Sequence, residues 1–307
     1  QRVADADMDK PVGSATYCQF LNARGGVEAD LTVTRLDKQL FRVVTGSAFI
    51  GNDLAWLRMN HQPEDGAVII RDITMDWACF ALWGPKARDV LKKITTADVS
   101  NAAFPYLHAA VIDINGADVW AQRVSYVGEL GWELYSSPSR AEPLWDALMA
   151  AGAEFGMEVG GYKVLDSLRL EKGYRYYTAD VTPLETPFEG GLGFCVDLDK
   201  PDFKGKAALV KAKAAGLTRK LCTLVLDGSD FTQIYGGEAV YHDGKVIGRV
   251  RSGGFGYTLN KCILYAYLPK DLAKAGTRLD VDLIEGRRSA EVTATVLFDP
   301  KGERLRA

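Results

Sequence analysis

Short apolar runs separated by polar turn residues recur through the first half of the chain, which is a pattern of strands. This pattern predicts strands at 30–36, 40–46, 67–74, 77–84, 109–114 and 119–126. Apolar residues recur at helical spacing in four other segments, so helices are predicted at 52–62, 84–95, 140–155 and 162–171. The order of these elements favours an α+β fold in which helices cover one face of antiparallel sheets.

The pattern changes near residue 200. The stretch DKPDFKG has the proline and glycine typical of a linker, and a short helix is predicted at 206–214. Evenly spaced short strands follow at 221–226, 237–253, 262–268, 277–284 and 290–298. Such spacing predicts a small all-β barrel or sandwich. We therefore predict two domains, at residues 1–200 and 201–307, with the boundary near 198–206.

Composition and charge exclude several classes of protein. The chain has 307 residues, of which 47% are hydrophobic, so it can form a large core. Its net charge is −3 and its lysines and arginines are scattered, so we expect no nucleic-acid partner. No run approaches the roughly 18 apolar residues of a membrane span, and the start QRVADADMDK resembles no signal or transit peptide. We expect no membrane partner and a cytoplasmic location.

The cysteines and histidines show no catalytic or metal-binding spacing. The five cysteines lie far apart and form no C-x-x-C pair, which is typical of buried thiols in a reducing compartment. The three histidines share no metal-ligand spacing, so neither a zinc site nor a Ser-His-Asp triad is indicated.

The stretch YVGELGWELY at 126–135 combines aromatic residues with glutamates around two glycines. A symmetric hairpin over 119–135 would place Tyr126 nearly opposite Glu133, about 5 Å away. An aromatic ring beside a carboxylate suits a flat, nitrogen-rich heterocycle, because the carboxylate accepts two parallel N–H bonds. The alternative is an exposed hairpin with Glu133 in water.

Three other segments carry candidate chemistry. Asp30 follows the pair Gly25–Gly26, which permits a tight turn or close approach of the backbone to a ligand, although a solvated turn residue is the alternative. The loop after Gly173 is rich in tyrosine and typical of a binding loop, whereas Arg169 and Glu171 before it could form a solvated helix face. The G-x-G at 254–256 lacks the third glycine and the helix of a dinucleotide site.

Taken in order, these segments resemble the folate-dependent aminomethyltransferase family, which includes the T-protein of the glycine cleavage system. The resemblance spans about residues 16 to 297 and is carried by TYCQFLNARGGVEADLTV, YVGELGWELY, SLRLEKGYRYY, PFEGGLGF, DFKGKAAL and GRVRSGGFGYTL. The segments RVSYVGELGWELY and SLRLEKGYR most resemble the branch of this family that is fused to flavin-dependent dimethylglycine and sarcosine dehydrogenases.

The chain departs from the family pattern in three places. The opening segment that normally precedes TYCQFLN is largely missing, so we expect a fragment or a shortened relative that lacks the start of the family's N-terminal domain. No flavin-binding half is present. The T-protein commonly has two adjacent acids after the glycine pair, whereas here Ala29 precedes Asp30. The retained acid is the one that the family uses.

The resemblance implies a role for each matched residue and an architecture of sub-domains arranged as a cloverleaf around a central channel. Asp30 would be the central carboxylate beside the reactive nitrogens of tetrahydrofolate, and Glu133 would bind the aminopyrimidine edge of the pterin. Further cofactor contacts are implied at Tyr17, Leu21, Tyr126, Arg169, Tyr176 and Arg251. Tyr174 and Tyr177 would line the same cavity, and Arg249 or Arg251 could contact an acidic polyglutamate tail.

The implied activity is tetrahydrofolate-dependent transfer of a one-carbon group from a methylamine-derived or aminomethyl donor. A positioned carboxylate can stabilise a cationic electrophile and remove the proton that the transfer releases. A flavin oxidoreductase or a carrier protein could be the partner that delivers the donor. Two alternatives stay open: a folate-dependent S- or O-demethylase, and a non-enzymatic folate-binding module. The iron–sulfur-maintenance relatives of the second kind have K-G-C-[YF]-x-G-Q-E where this chain reads FKGKAAL.

Overall fold

The computed structural model describes residues 1–307, and the chain forms two compact units. Each unit is built from separate stretches of sequence. The first unit comprises 1–7, 18–30 and 162–300, and the second comprises 8–17, 31–161 and 301–307. None of the helices combines the length and hydropathy that a membrane-spanning segment requires.

Six α-helices and thirteen strands make up the two units. The helices are α1 (Ile50–Met59), α2 (Ala87–Ile94), α3 (Ala141–Gly152), α4 (Tyr162–Glu171), α5 (Pro187–Gly190) and α6 (Lys206–Ala215). The strands are β1 (Ala15–Leu21), β2 (Val27–Asp37), β3 (Leu40–Val44), β4 (Ala78–Trp83), β5 (Ala109–Ile114), β6 (Ala117–Gln122), β7 (Gly131–Ser136), β8 (Arg219–Leu226), β9 (Ala239–His242), β10 (Lys245–Gly256), β11 (Lys261–Pro269), β12 (Arg278–Leu283) and β13 (Gly286–Val292).

The second unit is built around an antiparallel sheet in the order β4-β7-β6-β5. Helices α2 and α3 cover one face of this sheet, and Trp132 and Leu134 of β7 belong to the apolar cluster formed there. Because side chains alternate along a strand, Glu133 and Tyr135 point to the opposite face. On that face Tyr135 packs with Trp120, next to Leu36, Val44 and Trp77.

The first unit contains a closed six-stranded barrel in the order β10-β11-β8-β13-β12-β9. Its interior is filled by aliphatic side chains from every strand. Helix α4 packs beside the barrel, where Leu170 contacts a cluster that includes Ile263 and Tyr265. The hydroxyl of Tyr265 donates a hydrogen bond to the carbonyl of Leu170 over 3.0 Å. This bond fixes the end of α4 against β11.

The structure confirms the α+β layering and the C-terminal barrel, but in the first half of the chain two predicted strands were wrong and one strand was missed. Segment 67–74 forms no strand, and its apolar residues Val68 and Ile69 are exposed. The strand predicted at 119–126 ends at Gln122, because the hydroxyl of Ser125 accepts hydrogen bonds from the backbone of Val127 and Glu129 and turns the chain. Strand β1 was not predicted, since its buried residues do not alternate with exposed ones.

Candidate functional site

A tight turn positions Asp30. The side-chain oxygen of Asn22 accepts hydrogen bonds from the backbone N–H of Arg24 at 2.9 Å and of Gly26 at 3.0 Å. A Cβ at Gly26 would lie 2.0 Å from the carbonyl oxygen of Pro183, so only glycine fits. Strand β2 begins directly after this turn, and its alternation places Asp30 on the less buried face. The glycine pair therefore serves close backbone packing within the protein.

Buried polar groups lie behind Asp30. The side-chain Nε2 of Gln19 donates to Asp30 Oδ1 over 2.8 Å, and Gln19 is completely buried in β1. The backbone N–H of Gln19 donates to Asp5 Oδ1, also over 2.8 Å. Burial, reinforced by the charge of Asp30 and opposed by the hydrogen bond from Gln19, raises the pKa of Asp5 to about 7. The predictions from sequence included neither Gln19 nor Asp5.

Glu133 lies on the face of the β4–β7 sheet that faces away from α2 and α3. The hydroxyl of Tyr135 donates to Glu133 Oε2 over 2.6 Å, which holds one carboxylate oxygen in place. Burial raises the pKa of Glu133, and the hydrogen bond from Tyr135 partly offsets this. The expected exposed hairpin with Glu133 in water is therefore not what the structure contains.

The predicted pairing of Tyr126 with Glu133 was wrong. In the sheet, Glu133 is aligned with Ala81 of β4 and Gln122 of β6. Tyr126 lies in the irregular segment that follows β6 and is partly buried. The prediction failed because β6 ends four residues earlier than the period-two pattern suggested.

Gln122 is the polar residue that the structure places opposite Glu133. Its Oε1 accepts a hydrogen bond from the hydroxyl of Thr34 over 2.6 Å, which fixes the orientation of the amide. Its Nε2 is buried and has no hydrogen-bond partner. Directly opposed residues of antiparallel strands share a face with Cβ atoms about 5 Å apart. Glu133 and Gln122 therefore present an acceptor and a donor on the same face.

Arg169 is buried rather than part of a solvated helix face. Only 3% of it is exposed, and its Nη1 lies 2.8 Å from a carboxylate oxygen of Asp180. The guanidinium also lies 5.6 Å from the ring centroid of Tyr176, a geometry that favours a cation–π contact. Glu171 is equally buried and accepts hydrogen bonds from the backbone of Thr258 and Leu259. The solvated alternative for this helix face was therefore wrong.

Arg251 lines a surface cavity of about 370 Å³ on the barrel. Its Nε donates to the carbonyl of Ala179 over 2.7 Å, and its Nη2 lies 3.8 Å from Glu185. Arg219 and Arg249 line the same cavity. Arg219 is ion-paired with Glu189 at 2.9 Å and with Glu185 at 3.3 Å, so carboxylates balance part of the positive charge of these arginines.

The predicted site residues are distributed over both units. The first unit holds Leu21, Asp30, Arg169, Tyr176 and Arg251, and the second holds Tyr17, Tyr126 and Glu133. Leu21 is completely buried, whereas Tyr17 and Tyr126 are each partly exposed. Within the first unit Arg169 and Tyr176 are brought together, and Gln19 joins β1 to Asp30. The binding roles of all eight residues stay predictions.

Comparison with known proteins identifies the fold and then the family. The structure superposes on a solved glycine cleavage system aminomethyltransferase T from Bartonella henselae with a TM-score of 0.84 and 26% sequence identity, covering 96% of this chain and 80% of that one. Residues 1–200 match the model of the GCVT N-terminal domain, and residues 219–299 match the glycine cleavage T-protein C-terminal barrel domain. The chain belongs to the aminomethyltransferase, or glycine cleavage T-protein, family.

The chain covers very different shares of the length of its curated relatives. The chain is 35% identical to an aminomethyltransferase of Halothermothrix orenii, over 88% of this chain and 73% of that protein. It is 38% identical to the 4-methylaminobutanoate oxidase (formaldehyde-forming) of Paenarthrobacter nicotinovorans, over 100% of this chain, and 35% identical to human mitochondrial dimethylglycine dehydrogenase, over 98%. The chain spans 37% and 35% of the length of these last two relatives. The family resemblance stated from the sequence is confirmed.

Proposed function

We propose that the chain catalyses tetrahydrofolate-dependent one-carbon transfer, accepting a methylene or methyl group from a methylamine-derived or aminomethyl donor. The observation that carries this proposal is the carboxylate of Asp30, which lies on the less buried face of β2 and is held by Gln19. Asp30 occupies the position that the family uses for its central acid. Membership in the aminomethyltransferase family supports the same conclusion.

The polar groups around Glu133 fit the pterin ring of a folate. An aminopyrimidine edge presents N–H donors beside acceptor atoms, and Glu133 and Gln122 offer the complementary acceptor and donor. The buried Nε2 of Gln122 lacks a hydrogen-bond partner in the protein, so a ligand acceptor would satisfy it. We assign Glu133 to the N–H groups of the ring and Gln122 to a ring acceptor.

Tetrahydrofolate supplies two nucleophilic nitrogens; with an iminium from amine oxidation, the products are 5,10-methylenetetrahydrofolate, the released amine and one proton. The carboxylate of Asp30 accepts that proton and stabilises the cationic donor before transfer. Gln19 keeps one oxygen of the carboxylate in place through its 2.8 Å hydrogen bond. Much of the rate comes from holding the two reactants in position.

The remaining predicted residues act in binding. We assign Tyr17, Leu21 and Tyr126 to packing near the pterin, and Arg169 with Tyr176 to the cavity that contains the folate. We assign Arg251, which lines a cavity of about 370 Å³ together with Arg249, to contact with an acidic polyglutamate tail. The domain boundary near residue 200 also stays a prediction.

The donor reaches the chain from a partner or from solution. Relatives named as oxidases and dehydrogenases support a flavin oxidoreductase as the source of an iminium, and a carrier protein is the other source that the family resemblance implies. A cytoplasmic location is part of the same proposal. The alternative activity is a folate-dependent demethylase, whose donors have the methyl group bound to sulfur or oxygen.

A donor panel combined with one substitution tests the proposal. Conversion of tetrahydrofolate is measured with dimethylglycine plus a flavoprotein that oxidises it, with dimethylsulfoniopropionate, and with a methoxyaromatic. We expect conversion with the first donor, and Asp30→Asn should lower its rate about 100-fold while tetrahydrofolate still binds. Asp37→Asn, at the exposed end of the same strand, is the matched control and should keep the rate. A wild-type rate in Asp30→Asn would refute the role of Asp30.

A further inference from the structure

Gln19 lies against the carboxylate of Asp30 on its buried side. Gln19 belongs to β1 and is completely buried, whereas Asp30 on β2 is partly exposed. The 2.8 Å hydrogen bond from Gln19 Nε2 to Asp30 Oδ1 is shielded from water on the glutamine side. A hydrogen bond to an ionised group is stronger than a neutral one, and stronger still in surroundings of low dielectric constant.

The orientation of the Gln19 amide follows from its neighbours. Its Nε2 faces Asp30 and lies 3.8 Å from the Sγ of Cys195, whereas its Oε1 is buried without a hydrogen-bond partner. The flipped amide would direct an oxygen at the carboxylate oxygen of Asp30, which is repulsive. The observed amide leaves a buried acceptor unsatisfied, which is unfavourable. An apolar side chain would avoid that cost, so the contact with Asp30 is the feature that distinguishes glutamine here.

The N-terminal segment fixes the backbone of Gln19. The N–H of Gln19 donates to Asp5 Oδ1, and the N–H of Asp5 donates to the Gln19 carbonyl over 3.0 Å. An isolated bridge also pairs Ala4 with Phe20. The Nζ of Lys200 donates to the carbonyls of Ala4 and Ala6, at 2.7 and 2.8 Å, and so holds this segment in place. Gln19 therefore has little freedom to move away from Asp30.

We propose that Gln19 is a positioning residue that holds the carboxylate of Asp30 for one-carbon transfer, and that Asp5 fixes Gln19 for this task. The inference rests on the proposed catalytic role of Asp30. One residue donates to two carboxyl groups, through its backbone to Asp5 and through its side chain to Asp30. It separates two acids whose charges repel each other.

Two buried thiols and one lysine are among the ionisable groups near Asp5 and Asp30. The thiols of Cys18 and Cys195 face Asp5 and Asp30, and burial raises the pKa of both thiols, so they stay neutral. Lys200 is the cation whose charge opposes the rise in the pKa of Asp5.

The first experiment examines the contact in the ligand-free protein. In protein labelled with ¹⁵N-glutamine, the side-chain amide of Gln19 is assigned by its disappearance in Gln19→Met. We expect a resonance protected from solvent exchange that shifts upfield in Asp30→Ala, and that keeps its position in the control Asp37→Asn. An unchanged resonance in Asp30→Ala would show that the two side chains do not interact, and would overturn the inference without using any activity.

The second experiment is a double-mutant cycle in the dimethylglycine transfer assay. Gln19→Met keeps the side-chain volume and removes the donor, so kcat should fall about 10- to 100-fold while KM and the calorimetric affinity for tetrahydrofolate change less than about 3-fold. In an Asp30→Asn background the same substitution should have no further effect on kcat. The control Cys195→Ser alters the other neighbour of the amide and should keep kcat.

The outcomes separate the inference from the function on which it rests. Equal losses of kcat from Gln19→Met in both backgrounds would contradict positioning through Asp30. A loss confined to melting temperature, with kcat per folded protein unchanged, would indicate a structural role and overturn the inference. A wild-type rate in Asp30→Asn would instead refute the role of Asp30, and no transfer by the wild type would refute the proposed function. In both cases the NMR experiment would still decide whether Gln19 holds Asp30.

Discussion

Tyr135 and Glu133 form a hydrogen-bonded pair on one face of β7. They are two positions apart on β7, so both side chains point away from the helices, and the hydroxyl of Tyr135 reaches Glu133 Oε2 over 2.6 Å. The hydrogen bond favours the ionised carboxylate against the burial that raises its pKa. Tyr135 therefore orients the carboxylate of Glu133 and opposes the rise in its pKa.

Removing the hydroxyl of Tyr135 should weaken folate binding. In Tyr135→Phe the carboxylate of Glu133 loses a donor, so its pKa rises further and its orientation is no longer fixed. We expect the dissociation constant for tetrahydrofolate, measured by calorimetry at pH 7.5, to rise roughly 10-fold, which corresponds to about 1.4 kcal/mol. Tyr235→Phe, which alters an exposed tyrosine, is the control and should leave the constant unchanged. An unchanged constant in Tyr135→Phe would contradict this role.

Asp5 should make the stability of the protein depend on pH. Its pKa is about 7 in the folded state and near 3.8 in the unfolded chain, so between these values the folded state binds more protons. Stability therefore falls as the pH rises from about 4 to 7. In Asp5→Asn, residue 5 cannot ionise. The free energy of unfolding of this variant relative to the wild type should therefore increase by about 2 kcal/mol between pH 5 and pH 8.

Urea unfolding at the two pH values checks this prediction. The exposed Asp118 gives the control, because Asp118→Asn alters a carboxylate in water. Its effect on the free energy of unfolding should differ little between pH 5 and pH 8. Equal effects of Asp5→Asn at both pH values would show that Asp5 is ionised throughout.

Two candidate residues were identified from local motifs, and their roles stay predictions. Asp30 and Glu133 follow from the glycine turn and from the stretch YVGELGWELY. Gln19 and Gln122 were not predicted, because each gains its partner from another strand. Asp5 donates to and accepts from β1 across 14 positions of sequence, so no local pattern marks it.

At the scale of elements, the turn 22–26 has the strictest steric requirement. It joins β1 to β2, and the carbonyl oxygen of Pro183 occupies the space where a Cβ of residue 26 would lie. Val27 at the start of β2 also donates from its backbone to the carbonyl of Glu185 over 3.1 Å. The turn therefore packs against the loop before α5 and sets the position from which Asp30 projects.

Gly26→Ala should destabilise the protein strongly. The new methyl group would lie 2.0 Å from the carbonyl oxygen of Pro183, and the backbone of one or both segments must shift. We expect the free energy of unfolding to fall by about 3 kcal/mol. Gly51→Ala adds the same methyl group to open space on α1, and should leave stability unchanged or raise it by up to about 1 kcal/mol. Equal effects of the two substitutions in urea unfolding would contradict the steric argument.

The lengths of strands were harder to predict than their existence. Strands β2, β3, β4 and β5 lie close to the predicted ranges. The end of β6 depends on the hydrogen bonds of Ser125, which hydrophobic alternation does not reveal. Because the predicted strand extended four residues too far, Tyr126 was predicted as the neighbour of Glu133, whereas the structure has Gln122 there.

At the scale of the whole molecule, the sequence predicted the kinds of element but not how distant segments combine. The change of pattern near residue 200 correctly indicated the C-terminal barrel. The first unit nevertheless includes residues 18–30, and the second includes 301–307. Each unit is held together by contacts between residues far apart in sequence, such as the hydrogen bond from the buried Lys200 to the carbonyl of Ala4. Composition and periodicity do not encode such contacts.

Binding of tetrahydrofolate to the purified chain tests the central claim most directly. Isothermal titration calorimetry with tetrahydrofolate under anaerobic conditions measures it without any choice of one-carbon donor. We expect saturable binding at one site per chain in the wild type, similar affinity in Asp30→Asn, and clearly weaker binding in Glu133→Gln. No detectable heat at high micromolar protein, from a sample shown to be folded by its cooperative unfolding, would contradict the assignment of this chain as a folate-dependent enzyme.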